Sequence, residues 1–130
     1  MKRLILCLVA PPYFNLEKYS DDSNDISNMS YDNFLLTYKS IISKTISKLK
    51  KGHLAVFVVS EVRKTKNRYG IGYYGLVPDT IKAFEEAGAE FYNEIILLNN
   101  KGNAGLRANK YMRTKKVVRV HQNILCFRKK

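Results

Sequence analysis

A partial α/β sheet that closes in an antiparallel pair is the fold this sequence predicts, and three observations carry the prediction. Unbroken apolar runs, Leu4–Val9 and the Leu-Ala-Val-Phe-Val-Val within His53–Val62, suit strands buried on both faces. Between them lies a stretch whose apolar residues recur every three or four positions, the spacing of one helix face. The second half repeats strand and helix, and then reaches a last strand-like run with no helix signal before it. About four strands and two main helices result, the last strand antiparallel.

The elements follow in order. Leu4–Val9 is the first strand, stopped by Ala10-Pro11-Pro12-Tyr13-Phe14. Residues 15–30, rich in Ser, Asn and Asp, form a loop. A helix is expected from Tyr31 to Leu49, with Phe34, Leu35, Tyr38, Ile41, Ile42, Ile46 and Leu49 on its apolar side. Ser30 with Asn33, or Asp32, offers its cap. Lys50-Lys51-Gly52 ends it as basic residues and a glycine should. His53–Val62 is the second strand and Arg63–Tyr74 a basic loop. Pro78–Ala87 is a helix stopped by Gly88. Phe91–Leu98 is the third strand, Asn99–Lys116 a long basic loop, and Val117–Phe127 the fourth strand.

Composition narrows the partners. The chain has 130 residues, one domain's worth, with 45% hydrophobic residues and a formal charge of +12. A small protein this basic usually meets a polyanion. No acidic residue follows Glu94, while Lys101, Arg107, Lys110, Arg113, Lys115, Lys116, Arg119, Arg128, Lys129 and Lys130 do. On charge alone, RNA, a membrane surface or a merely solvated face would also serve. Cys7 and Cys126 sit in apolar runs, as buried free thiols do, and give no zinc spacing. Lys2-Arg3 before an apolar run imitates a signal peptide, but no small-residue cleavage site follows. No run nears the roughly 20 apolar residues of a membrane span. A cytoplasmic protein is expected.

The stop after the first strand is chemically the most informative feature. In open α/β sheets ligands bind at the carboxyl ends of strands. Two prolines fix the backbone and remove two N–H groups, leaving carbonyl acceptors beside an aromatic face. That combination suits a planar base with an exocyclic amine, which donates while the ring stacks.

Pro11-Pro12-Tyr13 resembles the catalytic motif of the amino-group DNA methyltransferases, and the similarity extends along the chain. Asn15–Asp22, Asp25–Tyr31, Val58-Val59-Ser60-Glu61-Val62-Arg63, Phe91-Tyr92-Asn93-Glu94 and Val118-Arg119-Val120-His121-Gln122-Asn123 resemble stretches of phage and bacterial DNA modification methylases. The resemblance runs from about Pro11 to Phe127. It implies a Rossmann-like methyltransferase sheet whose last strand is inserted antiparallel between its neighbours. It also implies methyl transfer from S-adenosylmethionine to adenine N6 or cytosine N4, in a bacterial or phage-infected cell. On this reading Pro11 supplies the carbonyl acceptor, Pro12 the rigid turn and Tyr13 the stacking platform. Phe14, Glu61 and His121 lie on the substrate side. Arg107, Lys110, Arg113, Lys115 and Lys116 contact DNA phosphates, which position the duplex without reading it.

Two departures matter. Ala10 stands where the family usually has Asp, Asn or Ser, and it removes an acceptor worth about 2.7–4 kcal/mol in an electrostatic catalytic site. The family's glycine-rich cofactor turn has no clear counterpart either. Gly70-Ile71-Gly72-Tyr73-Tyr74-Gly75 has the form G-x-G-x-x-G, but Arg63 to Tyr69 separate it from the preceding strand, so a dinucleotide fingerprint is not expected. Glu90 and Glu94 are about the right distance on, but they flank or lie within the start of the next strand. The expectation is the catalytic, base-binding half of such an enzyme over residues 1–130. Its cofactor half would then be a separate subunit or a second copy, or lost altogether, leaving a nucleic-acid-binding module. Asp21 and Asp22 read better as loop anchors through Asx turns than as a metal pair.

Overall fold

The computed structural model describes residues 4–11, 20–64, 72–113 and 115–130. Four strands, β1 (Leu4–Val9), β2 (Leu49–Val59), β3 (Ala89–Leu98) and β4 (His121–Lys129), form one sheet in the order β1-β2-β4-β3. β1 and β2 are parallel, while β4 runs antiparallel to both β2 and β3. The last strand is therefore inserted in reverse between its neighbours, as the resemblance implied.

Helix α1 (Tyr31–Lys48) starts where Ser30 caps it, the hydroxyl accepting the Asn33 N–H at 3.4 Å. Phe34, Tyr38, Ile42 and Ile46 recur at four-residue spacing and are all buried. The helix does not stop at the glycine. It passes straight into β2 at Leu49, which is itself buried, and Gly52 lies within the strand at φ 77°. Leu4 pairs with Leu49 but Leu6 with Leu54, so β2 carries extra residues there as a bulge. The left-handed glycine serves that bulge.

Helix α2 (Leu76–Glu86) packs beside α1. Buried Tyr38 and Thr80 join their hydroxyls at 3.1 Å, and Thr80 Oγ1 donates to the Leu76 carbonyl at 2.7 Å. Both buried hydroxyls are thereby satisfied. Gly88, at φ 95°, turns the chain into β3. The third helix, α3 (Ala104–Met112), corrects the expectation of a loop over 99–116. It buries none of its residues fully, and its larger aliphatic side chains are exposed, Leu106 at 80% and Met112 at 67%, so no core-facing stripe announces it in the sequence. Its C-terminus closes through Lys115 N–H to Met112 O and Lys116 N–H to Tyr111 O, with Lys115 left-handed at φ 56°.

Register assigns the two sheet faces. Ala55, Phe57 and Val59 pair with Phe127, Leu125 and Asn123 and face the helices. There Phe84 of α2 stacks on Phe127 at 3.8 Å between ring centroids, and meets Phe57 edge-on at 4.8 Å. The opposite face carries Leu6, Leu8, Val56, Val58, Ile124, Ile95 and Leu97, an apolar stripe crossing all four strands. Leu8 is 68% exposed and Ile95 55%. The two free cysteines fall on opposite faces, Cys7 with Ala55 and Cys126 with Val56, and burial raises both thiols. No helix among the described residues is long and apolar enough to cross a membrane.

Candidate functional site

Because β1, β2 and β3 run the same way, their carboxyl ends share one edge with the start of β4. Pro11, Ser60, Asn99 and His121 mark that edge. Val9 pairs with Phe57, so Pro11 lies about level with Val59 on the neighbouring strand. Pro12, Tyr13 and Phe14 lie outside the described residues, as do Gly70 and Ile71 of the glycine run.

A cleft of about 480 Å³ opens on this edge between β2, α3 and the segment leading into β4. Ser60, Glu61, Arg63, Tyr73, Asn99, Arg107, Tyr111, Lys116, Arg119 and His121 are among its lining. A second cleft of about 400 Å³ shares Glu61, Tyr73, Arg119 and His121 and continues towards Val77 and Pro78 of α2. Among the described residues four cations and one carboxylate line the first cleft, so it favours an anion.

That carboxylate, Glu61, is held within the fold. Its Oε2 accepts the Leu76 N–H at 3.0 Å and its Oε1 the Val77 N–H at 2.9 Å. Gly75, the residue before α2, is left-handed at φ 90° and has no side chain to cap with. Glu61 supplies the missing cap from the end of β2 and sets a negative charge against the helix's positive end. The consequence for ligand binding is direct: the amides that a phosphate would use at this helix N-terminus are already engaged.

Arg119 ties the same edge together. Its Nη1 donates to Ser60 Oγ at 2.8 Å and to the Glu61 carbonyl at 2.9 Å. Its guanidinium carbon lies 4.8 Å from the centre of the Tyr73 ring, and that of Arg63 lies 4.6 Å from it. Arg63 also donates to the Val117 carbonyl at 3.1 Å. Arg63 and Tyr73 form an antiparallel bridge, extended by Lys64 N–H to Gly72 O and Tyr74 N–H to Val62 O. The arms of the glycine-containing loop are thus a short ribbon pinned by two arginines.

The sequence candidates divide accordingly. Glu61 and His121 line the cleft, as do Arg107 and Lys116. Lys110, Arg113 and Lys115 are exposed and outside it. Arg107 and Lys110 sit on α3, Arg113 at its end, and Lys115 and Lys116 just beyond, where a loop was expected. Sequence reasoning overlooked Arg63, Tyr73 and Arg119 as site residues. Arginines beside an aromatic at the two ends of a basic loop were the available signal. In the loop before α1, Asp22 accepts the Asn24 N–H at 2.8 Å, an Asx turn. Asp25 accepts the Ser27 N–H and hydroxyl, and these bonds lower its pKa. Among the described residues no group of three His, Cys, Asp or Glu could hold a metal ion.

A parallel three-strand set with a reversed strand inserted, and a cationic cleft at the carboxyl edge, define a DNA methyltransferase-like α/β fold. Solved structures share it. TTHA0409 of Thermus thermophilus, a protein assigned to the DNA modification methylases, superposes with a TM-score of 0.67 at 20% identity, covering 98% of this chain and 45% of that one. Its complex with S-adenosyl-L-methionine gives 0.66 at 19% identity, with 98% and 46% covered. M1.HpyAVI in complex with SAM gives 0.58 at 14% identity, with 98% and 45% covered. The chain therefore spans less than half the length of these structures. No protein-family model matches the sequence, and no curated protein matches it as a relative.

Proposed function

We propose that this chain is the target-base and DNA-binding half of an amino-group DNA methyltransferase, acting on adenine N6 or cytosine N4. The observation that carries the reading is the cationic cleft on the carboxyl edge, beside the strand that ends in Pro11, in a fold shared with DNA methylases. In this reading the Pro11 carbonyl accepts a hydrogen bond from the exocyclic amine and stabilises the positive charge that develops as the nitrogen attacks. Pro12 keeps that carbonyl rigid, Tyr13 stacks on the base and Phe14 supports the ring. His121 flanks the base from β4. Glu61 positions the edge by holding α2, and the cations of α3 and its C-terminal segment hold the DNA backbone.

S-adenosylmethionine, present in two of the similar structures, would supply the methyl group. In this reading its site lies elsewhere than the helix that follows the glycine run. The run that ends at Gly75 does open a helix, but Glu61 occupies that helix's first amides. In this reading the cofactor half is a separate subunit or a second copy of the chain, seated on the open apolar face of the sheet.

Calorimetric titration with S-adenosylmethionine, alone and with duplex DNA, tests this. The expected result is salt-sensitive DNA binding with no cofactor binding until the missing half is added. Micromolar cofactor binding by the chain alone would refute the split assignment. Tyr13→Ala that methylated normally in the assembled enzyme would refute the site. Ala10, with no acceptor to offer, favours a second reading: a non-catalytic nucleic-acid-binding module built on the same sheet. That reading predicts DNA affinity indifferent to Tyr13.

A further inference from the structure

We propose that the cleft between α3 and the start of β4 is a seat for one backbone phosphate of the bound DNA strand, gripped by Arg107 and Lys116. The inference rests on the DNA-binding reading of this edge and makes it specific. Of the four cations lining the cleft, two are committed to the fold. Arg63 donates to the Val117 carbonyl and Arg119 to Ser60 and the Glu61 carbonyl, and both lie over Tyr73. They fix the shape of the cleft and contribute field rather than contacts.

Arg107 and Lys116 differ. The Arg107 Nε donates to Asn103 Oδ1 at 2.9 Å, one turn back on α3, which orients the guanidinium and leaves its terminal nitrogens as donors. Lys116 uses its backbone N–H to close the helix on Tyr111, and its ammonium is in none of the ion pairs among the described residues, which join Lys39 to Glu86 and Arg128 to Glu90. Both side chains are half-buried, so a phosphate between them is shielded from solvent more than one on an open face. Glu61, the only carboxylate in the lining among the described residues, is tied to two amides, which limits its repulsion of an anion. A fork and a point charge converging on one anion is the arrangement that phosphodiester binding uses.

Position supports a phosphate of the same strand that presents the base. β4 lies two strands from β1, about 10 Å across the sheet. That is a few nucleotides from the Pro11 carbonyl at about 3.4 Å per stacked step. A fixed phosphate at that distance would set the register of the strand relative to the catalytic turn.

Lys110 and Lys115, on the same segment but outside the cleft, are built-in controls of equal charge. Binding of a fluorescent duplex oligonucleotide is measured by anisotropy across a salt series for wild type, the pair Arg107→Gln with Lys116→Gln, and the pair Lys110→Gln with Lys115→Gln. The cleft pair is expected to weaken binding about tenfold or more and to lower the salt slope by about one, at roughly 0.9 per neutralised phosphate. The control pair should do clearly less. A methylphosphonate scan then neutralises each linkage of the duplex in turn. One linkage should weaken wild type as much as the cleft pair does, and should cause no further loss in that pair. If the cleft pair unfolds, the single variants Arg107→Gln and Lys116→Gln take its place, and each should lose sensitivity at that same linkage. Equal losses from both pairs with no single sensitive linkage would overturn the phosphate seat while leaving DNA binding intact. No DNA binding by wild type would overturn the underlying reading as well.

Discussion

Glu61, at the end of β2, caps the helix that begins at Leu76, its two carboxylate oxygens accepting the first two amides of α2 at 3.0 and 2.9 Å. Fifteen residues of chain separate the partners, so the contact closes the loop between them and fixes α2 against the sheet edge. Glu61→Ala leaves two amides to solvent and should cost about 0.5–2 kcal/mol, the range for lost helix caps. Glu61→Gln keeps one acceptor and should recover part of that. Urea denaturation of the three proteins checks it; an unchanged midpoint for the alanine variant would show that water replaces the cap without loss.

Arg119 joins three things at once: Ser60, the Glu61 carbonyl and the face of Tyr73. Arg119→Ala should destabilise by roughly 1.5–3 kcal/mol, the scale of a hydrogen bond to a charged group. Arg119→Lys should fail to rescue, since an ammonium cannot fork between two oxygens while lying over a ring. The local signature is amide exchange. Lys64 and Tyr74, whose N–H groups join the ribbon arms, should exchange faster in both variants. Unaltered protection there would mean that Arg63 alone holds the ribbon.

Phe84 and Phe127 form the centre of the covered face, their rings 3.8 Å apart and 8° from parallel. Both are fully buried. Phe84→Ala opens a cavity between α2 and β4 and should cost about 3–5 kcal/mol. Leu8→Ala, on the open face at 68% exposure, should cost far less in the isolated chain. Thermal melts of the two variants give the comparison, and similar losses would mean that the open face is already covered in solution.

What the sequence disclosed follows from how each element is held. Helix α1 was legible because its buried residues repeat every four positions and Ser30 precedes them. The strands were legible as apolar runs, although β2 begins four residues before the expected His53 because Leu49, not Gly52, ends the helix. Helix α3 was not legible, since Arg107 and Lys110 interrupt its apolar residues, Leu106 and Met112 are exposed, and it buries nothing fully. The basic character of the site was visible in composition, but its assembly was not. Arg63 and Tyr73 meet through their own bridge, but Arg119 joins them only because β4 returns between β2 and β3, a pairing that local spacing does not encode.

Tyr31 couples stability to alkaline pH. Its hydroxyl donates to Asp79 Oδ2 at 2.5 Å, and its ring stacks on Tyr74 with centroids 4.8 Å apart. Burial first, then the hydrogen bond and the charges of Asp79 and Glu61, raise its pKa well above the ordinary value of 10. A phenol that ionises less readily in the folded chain favours folding only while the unfolded phenol keeps its proton. The contribution is therefore fully present below about pH 10 and declines as pH rises above it, because the unfolded chain then loses a proton the folded chain retains. Tyr31→Phe cannot ionise in either state. The stability difference between wild type and Tyr31→Phe, measured by urea titration, should stay constant from about pH 8 to about 9.5 and shrink by about pH 11. Other titrating groups contribute to both proteins and cancel in the difference. A difference that held steady across that whole range would show that Tyr31 ionises in the folded chain as easily as in the unfolded one, and that the Asp79 contact does not keep its proton in place.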